Sequence, residues 1–267
     1  MYSLRHTYFT GGYILLDPAI AEMLLAKHDQ FFSKFDPMTF DQKQIASLFG
    51  TPAKAEKVKS TGIIPVKGVI SRDLMPIERM MGGVDLEDVK RDLRNFEQDP
   101  GIKKIIFNID SPGGTASGVP EMASLIKNST KHTETFTDNR ASSAGYWLGS
   151  QGKRFLATPS ASVGNVGVFK VVANTVDLYS KMGVKMELFR SGKYKAIGLP
   201  GTAIDEAGKE LLQSEVESIH QEFKDAIKSV RTLVPDWAME GQSFSAKKAS
   251  EIGMITGLVS GIEELIV

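Results

Sequence analysis

Short apolar runs alternate with amphipathic stretches along most of this chain, and that alternation constrains its fold more than any other feature. Apolar runs of about four to eight residues are typical of buried strands, whereas apolar residues three and four positions apart are typical of helices. Predicted strands cover residues 62–70, 102–109, 133–137, 155–157, 166–172 and 185–189. Predicted helices cover residues 86–96, 119–127, 143–148, 176–182 and 205–233. The pattern predicts an α/β domain.

The first part of the chain lacks this alternation. Residues 1–58 are predicted to form an N-terminal extension, and residues 59–267 a single domain. Pro18 suits the first position of a helix, and the apolar residues that follow it have helical spacing. A second short helix is predicted over residues 41–49. We therefore expect a helical extension that packs on the domain or on a neighbouring molecule.

Composition excludes several classes of function. The 32 basic and 32 acidic side chains cancel, so the charge balance does not favour nucleic acid as a partner. Near-zero net charge gives little protection against self-association, which fits an oligomer. Cysteine is absent, and the four histidines lack the spacing of metal ligands. We expect neither a metal ion nor another cofactor.

No part of the sequence has the layout of a membrane anchor. A membrane span needs roughly 18–20 apolar residues in succession, and no run approaches that length. The apolar run Tyr13–Leu16 is too short for a signal peptide and ends at Asp17 and Pro18. We expect a protein without a transmembrane segment, located in the cytoplasm.

Three motifs carry the residues of a serine hydrolase. Ser143 lies among small residues where a predicted strand meets a helix, and Gly113 and Gly114 form a turn after the strand ending at residue 109. A serine nucleophile needs a base and N–H donors that stabilise the oxyanion. Ala144 and the glycine pair are the predicted donors, because glycine allows a carbonyl oxygen to approach the backbone closely. The third motif, residues 191–195, contains two lysines, and a lysine can act as the base of a serine hydrolase.

In their order and spacing, these motifs resemble those of the signal peptide peptidase A (protease IV) family, which includes the head-maturation proteases of tailed phages. Residues 141–146 resemble the pattern around the family's nucleophile, with Ala144 at a position where glycine is often found. Residues 191–195 match Ser-Gly-x-x-Lys, so the resemblance implies Lys195, rather than Lys193, as the base. It covers about residues 60–265 and implies a ClpP/crotonase-like spiral of strand-strand-helix units.

The same resemblance suggests a third catalytic position. Residues 162–168 resemble a family turn in which a serine hydroxyl orients the lysine, and Asn165 stands there in this chain. An amide oxygen can accept a hydrogen bond from the lysine in the same way, although Asn165 could equally be an ordinary turn residue. Lysine accepts a proton only when neutral, a form that burial favours. We therefore expect Lys195 to be buried beside Ser143.

The resemblance implies a serine endopeptidase that cleaves flexible peptide segments, such as phage capsid or scaffold proteins or remnant signal peptides. It also implies a cyclic homo-oligomer, in the cytoplasm or associated with a virion. A substrate could bind as an added strand beside Gly113 and Gly114. The alternatives are a non-enzymatic scaffold or shell component that keeps a protease fold, and a crotonase-like acyl-CoA enzyme. A Ser-His-Asp enzyme is disfavoured because His220 is the only histidine after Ser143.

Overall fold

The computed structural model describes residues 13–16 and 52–267. The helices expected between residues 18 and 49 lie outside the described residues. In chain order, the strands are β1 (Ile14–Leu16), β2 (Glu56–Val58), β3 (Thr61–Lys67), β4 (Val69–Ser71), β5 (Gly83–Asp85), β6 (Lys104–Asp110), β7 (Gly113–Thr115), β8 (His132–Thr137), β9 (Arg140–Ser142), β10 (Arg154–Ala157), β11 (Ser162–Gly164), β12 (Ser243–Ser245) and β13 (Gly257–Leu258). The α-helices are α1 (Pro76–Met80), α2 (Leu86–Gln98), α3 (Val119–Lys127), α4 (Ala144–Ser150), α5 (Val176–Lys181), α6 (Glu206–Lys228) and α7 (Ala246–Glu251). Short 3₁₀ helices cover Asp236–Met239 and Ile262–Leu265.

The largest sheet has the strand order β13-β10-β8-β6-β3-β2. Its five strands from β13 to β3 are parallel, and β2 is added antiparallel at the edge. Strands of a parallel sheet are covered on both faces, which is why they appear in sequence as continuous apolar runs. The run Ile105–Phe107 in β6 is completely buried and confirms the strand predicted there.

Two smaller sheets lie beside the first, with the orders β1-β7-β4-β5 and β12-β11-β9. The strand predicted over residues 62–70 is in fact two strands, β3 and β4, which belong to different sheets. Gly68 separates them with φ 124°, and a Cβ there would lie 1.9 Å from the carbonyl oxygen of Gly82. A glycine therefore bends the chain from one sheet into the next, giving successive strand-strand-helix units.

The hydrophobic core is centred on α4. All seven residues of this helix are buried, and Trp147 stacks on Phe223 of α6 with ring centroids 4.3 Å apart. The predicted apolar face of α2 is confirmed, since Leu86, Val89 and Leu93 are buried. Burial of large aromatic and aliphatic side chains supplies most of the stabilisation of such a core.

The segment over residues 171–199, here called the arm, differs from the sequence prediction. The strands expected over 166–172 and 185–189 are wrong: Phe169 makes only an isolated bridge, and residues 185–189 have no regular structure. Helix α5 forms as predicted but buries no residue. Nine apolar side chains of the arm are exposed: Val171, Leu178, Met182, Val184, Met186, Leu188, Phe189, Tyr194 and Leu199. The apolar runs of the arm therefore led to wrong strand predictions, because these side chains are not buried within the chain.

Candidate active site

Ser143 lies at a sharp turn between a strand and a helix. It follows β9 directly and precedes α4, with φ 53° and ψ −119°. A non-glycine residue in this region costs about 1–3 kcal/mol, so the surrounding structure must hold it there. The Ser143 N–H donates to the Gly164 carbonyl at 2.8 Å, and the Ser143 carbonyl accepts from the Trp147 N–H at 2.8 Å. These two bonds fix the turn from both sides.

The hydroxyl of Ser143 is buried but unpaired. The residue is 1% exposed, and its Oγ has no hydrogen-bond partner among the residues that the structure describes. An unsatisfied buried hydroxyl is costly, and most such groups in folded proteins find a partner. A strained backbone together with a hydroxyl that has no hydrogen-bond partner is typical of a nucleophilic serine rather than of a serine that only fills space in the core.

The glycine turn lies directly beside Ser143. Ser111 forms a parallel bridge with Ala141, and its carbonyl accepts from the Ser142 N–H at 3.0 Å. Gly113 follows with φ 106°, and its N–H donates to Ser111 Oγ at 3.1 Å. The structure thus brings the predicted turn and nucleophile together on neighbouring strand ends.

The remaining predicted donors are part of regular elements next to this turn. Ala144 is the first residue of α4, so its N–H has no partner within the helix. Gly114 lies in the centre of β7, where it pairs with Leu15 of β1. Gly113 lies opposite Leu16 in the same ladder, so both glycines of the predicted oxyanion hole are adjacent to β1.

Asn165 adjoins Ser143 through its neighbour, since the Gly164 carbonyl accepts the Ser143 N–H. Asn165 has φ 54°, and its backbone N–H donates to the Gln242 carbonyl at 2.7 Å. Its side-chain Nδ2 donates to the Gly241 carbonyl at 3.3 Å. Within the described part of the chain no donor reaches its Oδ1, which leaves this atom able to accept.

Lys195 is not buried, contrary to the expectation from its proposed role. It lies in the exposed arm, where its backbone N–H donates to the Gly192 carbonyl at 3.1 Å. No hydrogen bond or ion pair joins its ammonium group to another described residue. Lys193, the lysine that the motif disfavours, lies 5.1 Å from the centre of the Tyr194 ring. The single chain therefore leaves the predicted base in solvent.

The Ser-His-Asp alternative has no support in the geometry. His220 lies in α6, and its Nε2 is 2.8 Å from the carbonyl oxygen of Met239. That contact ties the ring to the short helix Asp236–Met239 rather than to Ser143.

In the described residues, no three His, Cys, Asp or Glu side chains are grouped so that they could hold a metal ion. No helix among residues 13–16 and 52–267 is long and apolar enough to cross a membrane.

Sequence reasoning missed the strand β1. The short apolar run Tyr13–Leu16 predicts no strand by itself, but residues 14–16 pair antiparallel with β7 beside the candidate site. Tyr13 also reaches the domain, because its hydroxyl donates to Glu215 of α6 and its ring lies below Lys170. The apolar run before Asp17 was the available signal for a strand.

Comparison with known proteins identifies relatives of this chain. The model of peptidase family S49 matches residues 126–264, just over half of the 267 residues. The capsid assembly protease C of Escherichia phage lambda is 26% identical over 212 residues, covering 77% of this chain and 48% of that protein. A putative signal peptide peptidase SppA of Enterococcus faecium is 25% identical over 172 residues, covering 61% and 49%. The chain spans about half the length of these curated relatives.

Solved structures confirm the predicted architecture. A ClpP1 variant from Listeria monocytogenes superposes with a TM-score of 0.50 at 13% identity. The match covers 76% of this chain and 94% of that one. The expected ClpP/crotonase-like spiral of strand-strand-helix units is therefore the fold of this protein.

Proposed function

Because the chain belongs to peptidase family S49, we propose that it is a serine endopeptidase in which Ser143 is the nucleophile and Lys195 the general base. The observation that carries the proposal is Ser143 itself, with its strained backbone and its buried, unpaired hydroxyl. The peptidase domain is assigned to residues 59–267. Protease names among the relatives, from phage lambda to Enterococcus faecium, support the same activity.

The proposed reaction is acyl transfer to serine. Neutral Lys195 takes the proton of Ser143 Oγ while that oxygen forms a bond to the carbonyl carbon of the scissile peptide. The N–H groups of Ala144 and of the glycine pair, Gly113 and Gly114, donate to the resulting oxyanion. The protonated lysine then gives its proton to the leaving amine as the peptide bond breaks. A water molecule, deprotonated in the same way, hydrolyses the acyl-enzyme and restores Ser143.

Two groups must change partners before this reaction. The Gly113 N–H now donates to Ser111 Oγ at 3.1 Å, and it must turn to the substrate to serve as an oxyanion donor. Lys195 must leave solvent, because only a desolvated lysine is readily neutral. Asn165 Oδ1 is the acceptor proposed to orient it, since no described donor otherwise reaches that atom.

Burial of Lys195 is proposed to come from assembly into a cyclic homo-oligomer. The arm that carries Lys195 also exposes nine apolar side chains, among them Phe189 at 90% and Met182 at 68%. Exposed large apolar side chains in this number within one segment are typical of an interface. Packing of the arm against a second copy would cover these side chains and exclude water from Lys195.

The proposed substrates are flexible peptide segments, since an extended chain can enter a closed ring more easily than a folded domain can. One relative is named a capsid assembly protease and another a putative signal peptide peptidase, and accordingly we propose two sources of substrate: capsid or scaffold proteins of a phage, and remnant signal peptides. A phage substrate would place the protein in the host cytoplasm or the virion, whereas signal peptides as substrates would place it in the cytoplasm. No cofactor, metal ion or nucleic acid takes part in the proposed reaction.

A serine-reactive fluorophosphonate probe tests the proposal directly. The oligomeric fraction should be labelled at Ser143, as located by peptide mass spectrometry, and labelling should disappear in Ser143→Ala. Ser142→Ala is the matched control, because Ser142 adjoins the nucleophile and is equally buried. Folded protein that is neither labelled nor able to cleave unfolded proteins would instead favour the scaffold interpretation. Binding of an acyl-CoA would favour the crotonase-like one.

A further inference from the structure

The strand β1 lies between two backbone partners at the candidate site. On one side it pairs antiparallel with β7, with Ile14 opposite Thr115 and Leu16 opposite Gly113. On the other side the Ile14 N–H donates to the Phe169 carbonyl at 3.0 Å, and the Phe169 N–H donates to the Ile14 carbonyl at 3.2 Å. Residues 14–16 therefore fill a groove whose two walls are β7 and the backbone around Phe169.

This groove is where the proposed reaction needs its substrate. Gly113, one of the proposed oxyanion donors, forms the end of β7 that faces Leu16. An extended peptide that presents a carbonyl to Ser143 and Gly113 would pair with the same strand edge, as in other cases of strand addition. An edge strand has one free row of hydrogen-bonding groups, so β1 and a substrate cannot pair with it together.

Contacts of Tyr13 hold β1 in this register. The Tyr13 hydroxyl donates to a carboxylate oxygen of Glu215, and Lys170 Nζ lies 4.4 Å from the centre of the Tyr13 ring. The Tyr13 carbonyl accepts from the Ala116 N–H at 3.1 Å. Ile14 is 2% exposed. The groove thus has a defined position for an aromatic residue and, next to it, one for an aliphatic residue.

We propose that residues 13–16 are a substrate mimic in cis, which blocks the peptide groove until β1 leaves it. The proposal rests on the peptidase function and extends it in two ways. It makes access to the active site dependent on release of the N-terminal strand. It also assigns the groove a preference for an extended peptide with an aromatic residue, followed by an aliphatic one, upstream of the residue facing Gly113.

Peptide binding tests the blockage without requiring catalysis. Full-length Ser143→Ala is compared with Ser143→Ala/Ile14→Pro, because proline removes the N–H that Ile14 donates to Phe169. The probe is a fluorescein-labelled peptide with the sequence Thr10–Pro18, followed by fluorescence anisotropy. The proline variant should bind it about tenfold more tightly, since its own strand no longer competes. Ile14→Val, which keeps the N–H, is the matched control and should bind like the parent.

Steady-state kinetics supply the second measurement, with Ser143 intact. A competing strand raises KM without changing the chemical step. Ile14→Pro should therefore lower KM about tenfold for a short fluorogenic peptide and leave kcat nearly unchanged. Tyr13→Phe keeps the ring but removes the bond to Glu215, and we expect a smaller shift, about two- to fivefold, in the same direction. This milder variant serves if Ile14→Pro does not fold.

The outcomes separate this proposal from the peptidase function. Unchanged peptide affinity and KM in folded variants would overturn the blockage. Loss of both binding and turnover in Ile14→Pro and Tyr13→Phe would also overturn it, by showing that β1 is a structural strand of the groove. If no variant cleaves any peptide but the binding difference is found, the peptidase function fails while the groove proposal holds.

Discussion

The two regions that would carry the catalytic pair differ in how far the single chain completes them. Around Ser143 every residue of α4 is buried, and the turn is held by hydrogen bonds on both sides. Around Lys195 the arm exposes its apolar side chains, and α5 buries none of its residues. The proposed nucleophile is thus positioned by the fold itself, whereas the proposed base would need a contact from outside the chain.

The difference is also one of energy. Burial of α4 stabilises the chain enough to hold Ser143 in a conformation that costs about 1–3 kcal/mol. The arm gains little from burial, so assembly rather than folding would have to fix its position. Variants in the two regions should consequently separate effects on folding from effects on activity.

The largest effect is expected on turnover. Ser143→Ala and Lys195→Ala should each lower kcat by at least about 10³-fold, because the members of a catalytic unit do not act independently. Activity is measured with an unfolded protein substrate, and thermal unfolding should show that both variants remain folded. Lys193→Ala is the matched control and should stay near wild-type activity. Near-normal turnover of Lys195→Ala would end the assignment of the arm to catalysis.

The next effect concerns folding. Trp147→Ala should lower the free energy of unfolding by about 3–5 kcal/mol, since it removes the stacking on Phe223 and leaves a cavity. Phe189→Ala, at a side chain that is 90% exposed, should change it by less than about 0.5 kcal/mol. Urea unfolding of the dissociated chain measures both. Equal losses would show that the arm is as much a part of the folded core as α4.

Association between copies of the chain should be more sensitive to a substitution in the arm than unfolding is. Phe189→Asp should weaken association by about 2 kcal/mol, because a charge would replace a large apolar group at the proposed interface. Sedimentation velocity measures the distribution of species, and turnover should fall as the oligomer dissociates. Lys185→Gln, on an exposed side chain of the same arm, lowers the net charge by the same single unit and is the control for a change of charge. A fully active monomer of Phe189→Asp would contradict the need for a second copy.

The last comparison sets a buried charged side chain in the core against an exposed one in the arm. Glu134 in β8 is 2% exposed; burial opposes its ionisation, but hydrogen bonds from Arg154 and His132 and the charge of Lys104 outweigh burial and lower its pKa. Glu134→Gln should therefore cost about 2 kcal/mol at pH 7. Glu187→Gln should cost almost nothing, since its ion pair with a lysine lies in solvent.

The pH dependence of that loss has a definite sign. A pKa below the ordinary value of 4.5 means that the folded state binds the proton less readily than the unfolded state. Ionised Glu134 thus stabilises the fold above pH 4.5, and this contribution disappears as the pH falls through the lowered pKa. Urea unfolding between pH 7 and pH 3 should show the wild type approaching Glu134→Gln. A difference that stays constant over this range would contradict the role of the carboxylate charge.

The sequence predicted the elements whose apolar residues are buried within the chain. The run at Ile105–Phe107 and the face of α2 that contains Leu93 form as expected, because burial inside one domain leaves a regular pattern. The motif around Ser143 also predicted the strand-to-helix junction, because both elements that meet there are buried in the same domain. Its positive φ is a consequence of tertiary packing and has no local signal beyond the small residues.

Three features could not be predicted in this way. Residues 185–189 have the apolar composition of a strand but lie exposed, and composition does not distinguish a core from an interface. Lys195 has its place set by the arm, so a motif match alone did not reveal its exposure. The pairing of Ile14 with Thr115 joins residues far apart in sequence, and a short apolar run does not specify so distant a partner.

Gly114 has a consequence for how substrate preference can evolve. A Cβ at this position would lie 1.7 Å from the carbonyl oxygen of Ile70, so no other residue fits without separating β7 from β4. Gly113 is restricted as well, by its φ of 106°. At Gly113 and Gly114 this wall of the proposed peptide groove is consequently bare main chain, which does not distinguish between the side chains of a bound peptide. New substrate preferences would have to arise on the opposite wall, near Phe169 and Lys170, where side chains can change without moving the catalytic framework.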